Sequence, residues 1–262
     1  MTAVNSCWMP DSHRLNYKYI NAETRIPQPV IRTDAEAPHR PSTWEPALAS
    51  AAEAVKRIAP NQLAIIASGR MTNEELYMVR HLAAQIGTDM VDIVPRMGES
   101  DGMLISADRN PNTNGARLVL DIEPGSRLDA IREGVRSGSI KGILVPGGRP
   151  HLPGSRLHGE DLDKLDYLFM TAHSANETAR HADLVLPGVT YAEKFGTMIN
   201  VTGRIQRLNR AIQPIGYARD DWQIFRDITL LLGGNPALKD FNSALDILTA
   251  MSTEYGALNG VS

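Results

Sequence analysis

The sequence predicts a doubly wound α/β fold on a mostly parallel sheet, and three observations lead there. Short apolar runs recur along the chain, stretches with helical spacing separate them, and glycine-bearing turns follow several of the runs directly. Strands alternating with helices are joined by crossovers, which makes the sheet mostly parallel and covers both of its faces.

Residues 1–44 hold Pro27, Pro29, Pro38 and Pro41. Neither a helix nor a central strand persists at that density, so an extended N-terminal arm is expected. Ser42-Thr43-Trp44-Glu45 offers a helix start, and Ala47 to Ile58 has apolar returns three and four apart. Gln62 to Ser68 is an apolar run turned by Gly69, and Thr72-Asn73-Glu74-Glu75 has capping-box spacing. Leu76, Val79, Leu82, Ala83 and Ile86 then share one helical face up to Gly87, with a second strand around Met90 to Val94.

Arg96 to Arg117 is rich in Gly, Pro and Asn and reads as a long surface loop. Beyond it Leu118 to Ile122 reads as a strand, Arg127 to Arg136 as a helix, and Gly142 to Val145 as a strand ending in Pro146-Gly147-Gly148. A strand at Tyr167 to Thr171, a helix near Asn176 to His181 and a strand at Ala182 to Leu186 repeat the pattern. Asp220 to Leu232 is a helix stopping at Gly233-Gly234, and Ser243 to Met251 is a short one. The body of the fold is therefore expected at 45–235, as one α/β region or two interleaved lobes, with a C-terminal helix and tail at 236–262.

The 262 residues are 42% hydrophobic and 22% charged, enough to bury one large core or two smaller ones. A net charge of -3 with scattered basic residues argues against nucleic acid as a partner. Cys7 is the sole cysteine, so the chain forms no internal disulfide and supplies no set of four thiolates for an iron–sulfur cluster. An unpaired structural thiol in a reducing, cytoplasmic compartment is expected. The first twenty residues lack a signal-peptide pattern, and no apolar run approaches the roughly 20 residues of a membrane span, so any membrane contact would run through partners.

Candidate chemistry is sparse. His173 and His181 are eight apart, and His151 and His158 seven apart with prolines and a glycine between, spacings that suit a metal poorly. The turns Ser68-Gly69-Arg70 and Pro146-Gly147-Gly148-Arg149 could offer backbone N–H groups and an Arg to a phosphate, but tight strand-to-helix turns account for the same glycines. Asn110, Asn112 and Asn114 fit loop geometry before ligand contact.

The densest signal is ADLVLPG at 182–188, AEKFGT at 192–197, NVTGR at 200–204 with Gln206, and ARDDW at 218–222. This run resembles the molybdopterin oxidoreductase family, and Trp8-Met9-Pro10-Asp11-Ser12-His13-Arg14 with Tyr17, Tyr19, Ile20 and Asn21 resembles the family segment around its last cluster cysteine. SGRMTNEEL at 68–76 and SADRNPNTNG at 106–115 are most similar to the large peripheral subunit of bacterial NADH-quinone oxidoreductase, the respiratory complex I. The resemblance implies an α/β fold of the formate dehydrogenase and DMSO reductase type.

It also locates departures. Pro10 stands where the family has a cluster cysteine, Ser12 where molybdenum members have Lys or Arg, and His13 where a Gly follows. The earlier cluster cysteines and the C-terminal dinucleotide-binding barrel of molybdenum members fall outside Met1 to Ser262. The resulting expectation is a redox-silent structural module, without metal or cofactor of its own, that contacts other subunits of a respiratory NADH-quinone oxidoreductase on the cytoplasmic face of the inner membrane. The alternative is a fragment of a split molybdopterin-dependent oxidoreductase, in which Gly147, Gly148, Asn200, Gly203 and Arg204 line a pterin dinucleotide site while cluster and barrel come from other chains.

Overall fold

Five strands run parallel in a computed structural model that describes residues 8–34, 37–147 and 157–258. After a helical turn α1 (Asp11–Arg14), two-residue strands β1 (Val30–Ile31) and β2 (Arg40–Pro41) precede α2 (Trp44–Arg57). Then come β3 (Leu63–Ala67), α3 (Asn73–Ile86), β4 (Val91–Ile93), α4 (Thr113–Leu120), α5 (Leu128–Ser137) and β5 (Gly142–Val145). The remainder comprises α6 (Gly159–Leu162), β6 (Tyr167–Ala172), α7 (Glu177–His181), β7 (Leu184–Pro187), the strands β8 (Gly196–Ile199) and β9 (Ile205–Leu208), α8 (Asp221–Leu231) and α9 (Ala244–Glu254).

The seven-stranded sheet has the order β2-β1-β7-β6-β5-β3-β4, with β1 antiparallel to both neighbours. Among the parallel strands this is the order 2-1-3-4-5, which reverses between β3 and β5 and so opens a crevice at their carboxyl ends. Alternation along the strands covers both faces. Leu63, Ile65, Leu144, Phe169 and Leu184 enter one core with α2, α3, α8 and α9, while Ala64, Ile66, Ile143, Leu168 and Val185 enter the other with α5.

Local signals act as anticipated at α3. The Thr72 amide donates to Glu75 Oε2 at 2.8 Å and the Glu75 amide to Thr72 Oγ1 at 3.2 Å, closing the capping box, while Gly87 ends the helix at φ +80°.

Two expectations are corrected. Residues 118–122 are not a strand: helix α4 begins at Thr113, buries Ala116 and Val119 three apart, and stops where Asp121 turns left-handed at φ +53°. Five apolar-rich residues are too few for periodicity to choose between helix and strand, and burial against α3 favours the helix. The arm also contributes regular structure, because Val30 and Ile31 pair with Val185 and Leu184 at the sheet edge, where Pro41 on the outer strand requires no ladder donor. The antiparallel pair β8 and β9, not foreseen from the sequence, forms a second sheet. Cys7, Gly148, Arg149 and His151 lie outside the described residues.

Candidate functional site

The carboxyl ends of β3, β5, β6 and β7 open into a cavity of about 800 Å³. Ser68 and Arg70 line it after β3, Gly147 after β5, His173 and Ser174 after β6, and Thr190 and Tyr191 after β7. The 104–111 loop and the arm residues His13, Asn16 and Tyr19 close its sides. Its size and its place at the reversal of strand order are those of a small-molecule site.

Its floor is ionic. Lys194 donates to both oxygens of Glu75, at 2.9 and 2.8 Å, and both residues are buried. Beside them Asp221 is 3% exposed, and its Oδ1 has no hydrogen-bond partner among the described residues. Burial, then the charge on Glu75, pushes the Asp221 carboxyl upward, with Lys194 pulling it back. Asp220 rises to about 6 through burial and Glu75, although Arg210 bonds it at 2.9 Å. Burial alone would lower the Lys194 ammonium, but Glu75, Asp221 and Asp220 outweigh it and raise the group.

Glycines make room for this carboxylate. Gly147 has φ +56°, and a Cβ there would meet Met71 Cγ at 2.9 Å and Asp221 Oδ2 at 3.1 Å. A Cβ on Gly188 would stand 3.1 Å from Asp221 Oδ1. The amide of Gly147 donates to Thr171 Oγ1 at 2.6 Å, which fixes the turn after β5 to the end of β6. Gly69 has a different reason, since a Cβ there would run into the Asn110 side chain at 2.7 Å.

Gly147 and Asn200 line the cavity, whereas Gly203 and Arg204 are exposed in the turn between β8 and β9. Asn200 Oδ1 accepts from the amides of Thr202 and Arg204, shaping that turn. The three loop asparagines act as ties: Asn110 Nδ2 donates to the Val94 carbonyl, Asn114 Nδ2 to that of Asn200, and Asn112 bonds Met71, Asn73 and Ile199. His173 lines the cavity, while His181 bonds Asp163 at 2.6 Å. Among the described residues no three His, Cys, Asp or Glu side chains gather as a metal site, and no helix is long and apolar enough to cross a membrane.

Sequence reasoning missed Lys194, Asp221, Glu75 and the arm residue Arg25. Lys194 and Asp221 stood inside the AEKFGT and ARDDW runs, so their positions were visible, but their convergence was not.

The chain is thus an α/β protein with a cavity where its strand order reverses, and a buried carboxylate with an unpartnered oxygen lines that cavity. Residues 102–229, just under half of the chain, match the molybdopterin oxidoreductase family. A Staphylococcus haemolyticus protein provisionally named formate dehydrogenase is 31% identical over 144 residues, 54% of this chain and 15% of that protein. The alpha subunit of an NADPH-Fe(3+) oxidoreductase of Geobacter sulfurreducens is 32% identical over 136 residues, 51% of this chain and 16% of that subunit. The chain thus matches only a small part of these relatives. Among solved structures, acetylene hydratase from Pelobacter acetylenicus superposes with a TM-score of 0.54 over 87% of this chain and 64% of the other, at 11% identity, a likeness of fold.

Proposed function

We propose that this chain is the pterin-nucleotide-holding part of an oxidoreductase assembled from more than one segment or chain. The observation that carries the reading is Asp221, a buried carboxylate with an unpartnered oxygen on the floor of a cavity of about 800 Å³. Burying such an oxygen is costly unless a donor reaches it, and two adjacent N–H groups on a purine-like or pterin-like edge are suited to do so.

In this reading Asp221 holds the donor edge, and Lys194, pinned by Glu75, favours its charged form against burial and the Glu75 charge. Arg70 and Arg96 on the cavity wall supply positive charge for a linking phosphate. A molybdopterin cofactor, when bound, brings a metal-centred redox couple. The chain's own residues bind it, orient it and keep water from the Asp221 floor. Substrate and electron acceptor belong to the rest of the assembly, for which the names of the relatives suggest formate or an iron(III) acceptor.

Calorimetric titration with guanosine monophosphate, whose base carries adjacent N–H donors, tests the reading. Saturable binding to the wild type, at least tenfold weaker in Asp221→Asn, is expected. Absence of binding to the wild type refutes it.

A second reading keeps the likeness to the large peripheral subunit of NADH-quinone oxidoreductase: a redox-silent module seated among the other subunits, peripheral to the inner membrane. Trp8, Met9, Leu15 and Tyr17 favour it, since all four are exposed on the arm. Co-purification with those subunits from native membranes supports this reading, and migration as a free chain counts against it.

A further inference from the structure

The Arg25 guanidinium makes four hydrogen bonds close to the cavity, and Arg25 lies outside every motif singled out in the sequence. Its guanidinium grips Glu193 with two bonds of 2.9 and 2.7 Å, donates from Nε to the His173 carbonyl at 2.9 Å, and reaches the Ile20 carbonyl with Nη1. Both partners of the ion pair are almost fully withdrawn from solvent, with 2% and 1% of their side chains exposed. Glu193 Oε2 also accepts from the Thr190 amide at 2.7 Å, and Oε1 from that of Ile215 at 3.2 Å.

One cation therefore ties together three segments distant in the chain: the arm, the loop after β6 and the loop after β7. Each carries a ring at or beside its tied residue. Tyr19 precedes Ile20, His173 is itself bonded, and Tyr191 follows Thr190. All three rings line the cavity, with Tyr19 5.2 Å from His173 at 35° and 6.4 Å from Tyr191 at 57°.

We infer that these rings form a stacking wall for a planar heterocycle at the arm side of the cavity, and that Arg25 is the positioning residue that sets them. The inference rests on the reading of the cavity as a pterin-nucleotide site and adds which residues take a flat ring. A fork with its donors in one plane is what the arrangement requires, because three acceptors from three segments must be held at once. Lysine, a point charge on a flexible stem, cannot hold them together. Stacked and edge-on ring pairs are separately stabilising, so holding the three tilted rings in place before the ligand arrives lets a flat ring stack on one and meet the others edge-on.

The test uses pterin-6-carboxylate, whose fluorescence is quenched on stacking, titrated into the full chain alongside guanosine monophosphate. Tyr19→Leu and Tyr191→Leu change side chains that are partly exposed, and each should weaken pterin binding about three- to tenfold and reduce the quenching. Arg25→Lys should lose pterin quenching although charge is retained, measured below its unfolding midpoint so that a loss of stability is read separately.

Quenching unchanged in both tyrosine variants, with the wild type still binding both probes, overturns the stacking wall alone. If Arg25→Lys stays folded and quenches as the wild type does, the positioning role is overturned. Failure of the wild type to bind either probe overturns the reading of the cavity and this inference with it.

Discussion

Glu74 offers a pH dependence that can be worked from geometry. It is 1% exposed at the start of α3, where its Oε2 accepts from the Thr197 amide and its Oε1 from the Thr197 hydroxyl, both at 2.8 Å. Burial is the dominant influence and lifts the carboxyl from 4.5 to about 7, with the Thr197 bonds pulling it down. Between those values the folded chain keeps a proton that the unfolded chain releases. The associated stability is therefore fully present below pH 4.5 and is lost as the pH rises through 7. At about 1.4 kcal/mol per pH unit, the loss by pH 8 is on the order of 3 kcal/mol.

Glu74→Gln keeps the shape and removes the titration. Whatever offset the amide brings, the stability of the variant relative to the wild type should improve by on the order of 3 kcal/mol between pH 4 and pH 8. Asp220 and Asp221 titrate in both proteins and drop out of the difference. Urea unfolding followed by tryptophan fluorescence at pH 4, 6 and 8 measures it. A difference that stays flat across this range, within about 0.5 kcal/mol, would show that Glu74 titrates as an ordinary carboxyl and refute the burial argument.

Three further outcomes follow from the same packing. Lys194→Met leaves Glu75 buried without its cation and should cost about 3–5 kcal/mol in unfolding measurements, much of it recovered by adding Glu75→Gln; a single-variant cost below about 1 kcal/mol would count against a buried pair. Gly147→Ala meets both a left-handed backbone and the Met71 side chain, so a loss of about 1–3 kcal/mol is expected in thermal unfolding, and an unchanged midpoint would mean the turn relaxes freely. Asn112→Ala frees the Met71 carbonyl and the Ile199 amide together and should cost about 2–4 kcal/mol, with hydrogen exchange quickening at Ile199; protection there at wild-type level would contradict the tie.

Much of the fold was legible because its signals are local. A capping box needs four residues, an apolar helix face a dozen, and a buried strand four or five, so Thr72–Glu75, Leu76–Ile86 and Gly142–Val145 could be read in place. The strand expected at 118–122 shows the limit of that reading: burial against α3, absent from the local sequence, made it helical. The same limit hid β8 and β9, whose hairpin is tied down by Asn112 and Asn114 from another part of the chain.

The candidate site divides along the same line. The sequence by itself determined that strands and helices alternate, that glycines follow β3 and β5, and that the AEKFGT and ARDDW runs resemble one family. Only the tertiary structure decided that Lys194 meets Glu75 across 119 residues, that Asp221 is left with an unpartnered oxygen beneath Gly188, and that Arg25 reaches Glu193 across 168 residues. Such meetings depend on strand order. Reversal of that order between β3 and β5 brings separate loops to one edge, and a charge there is buried or solvated according to neighbours that local periodicity does not encode.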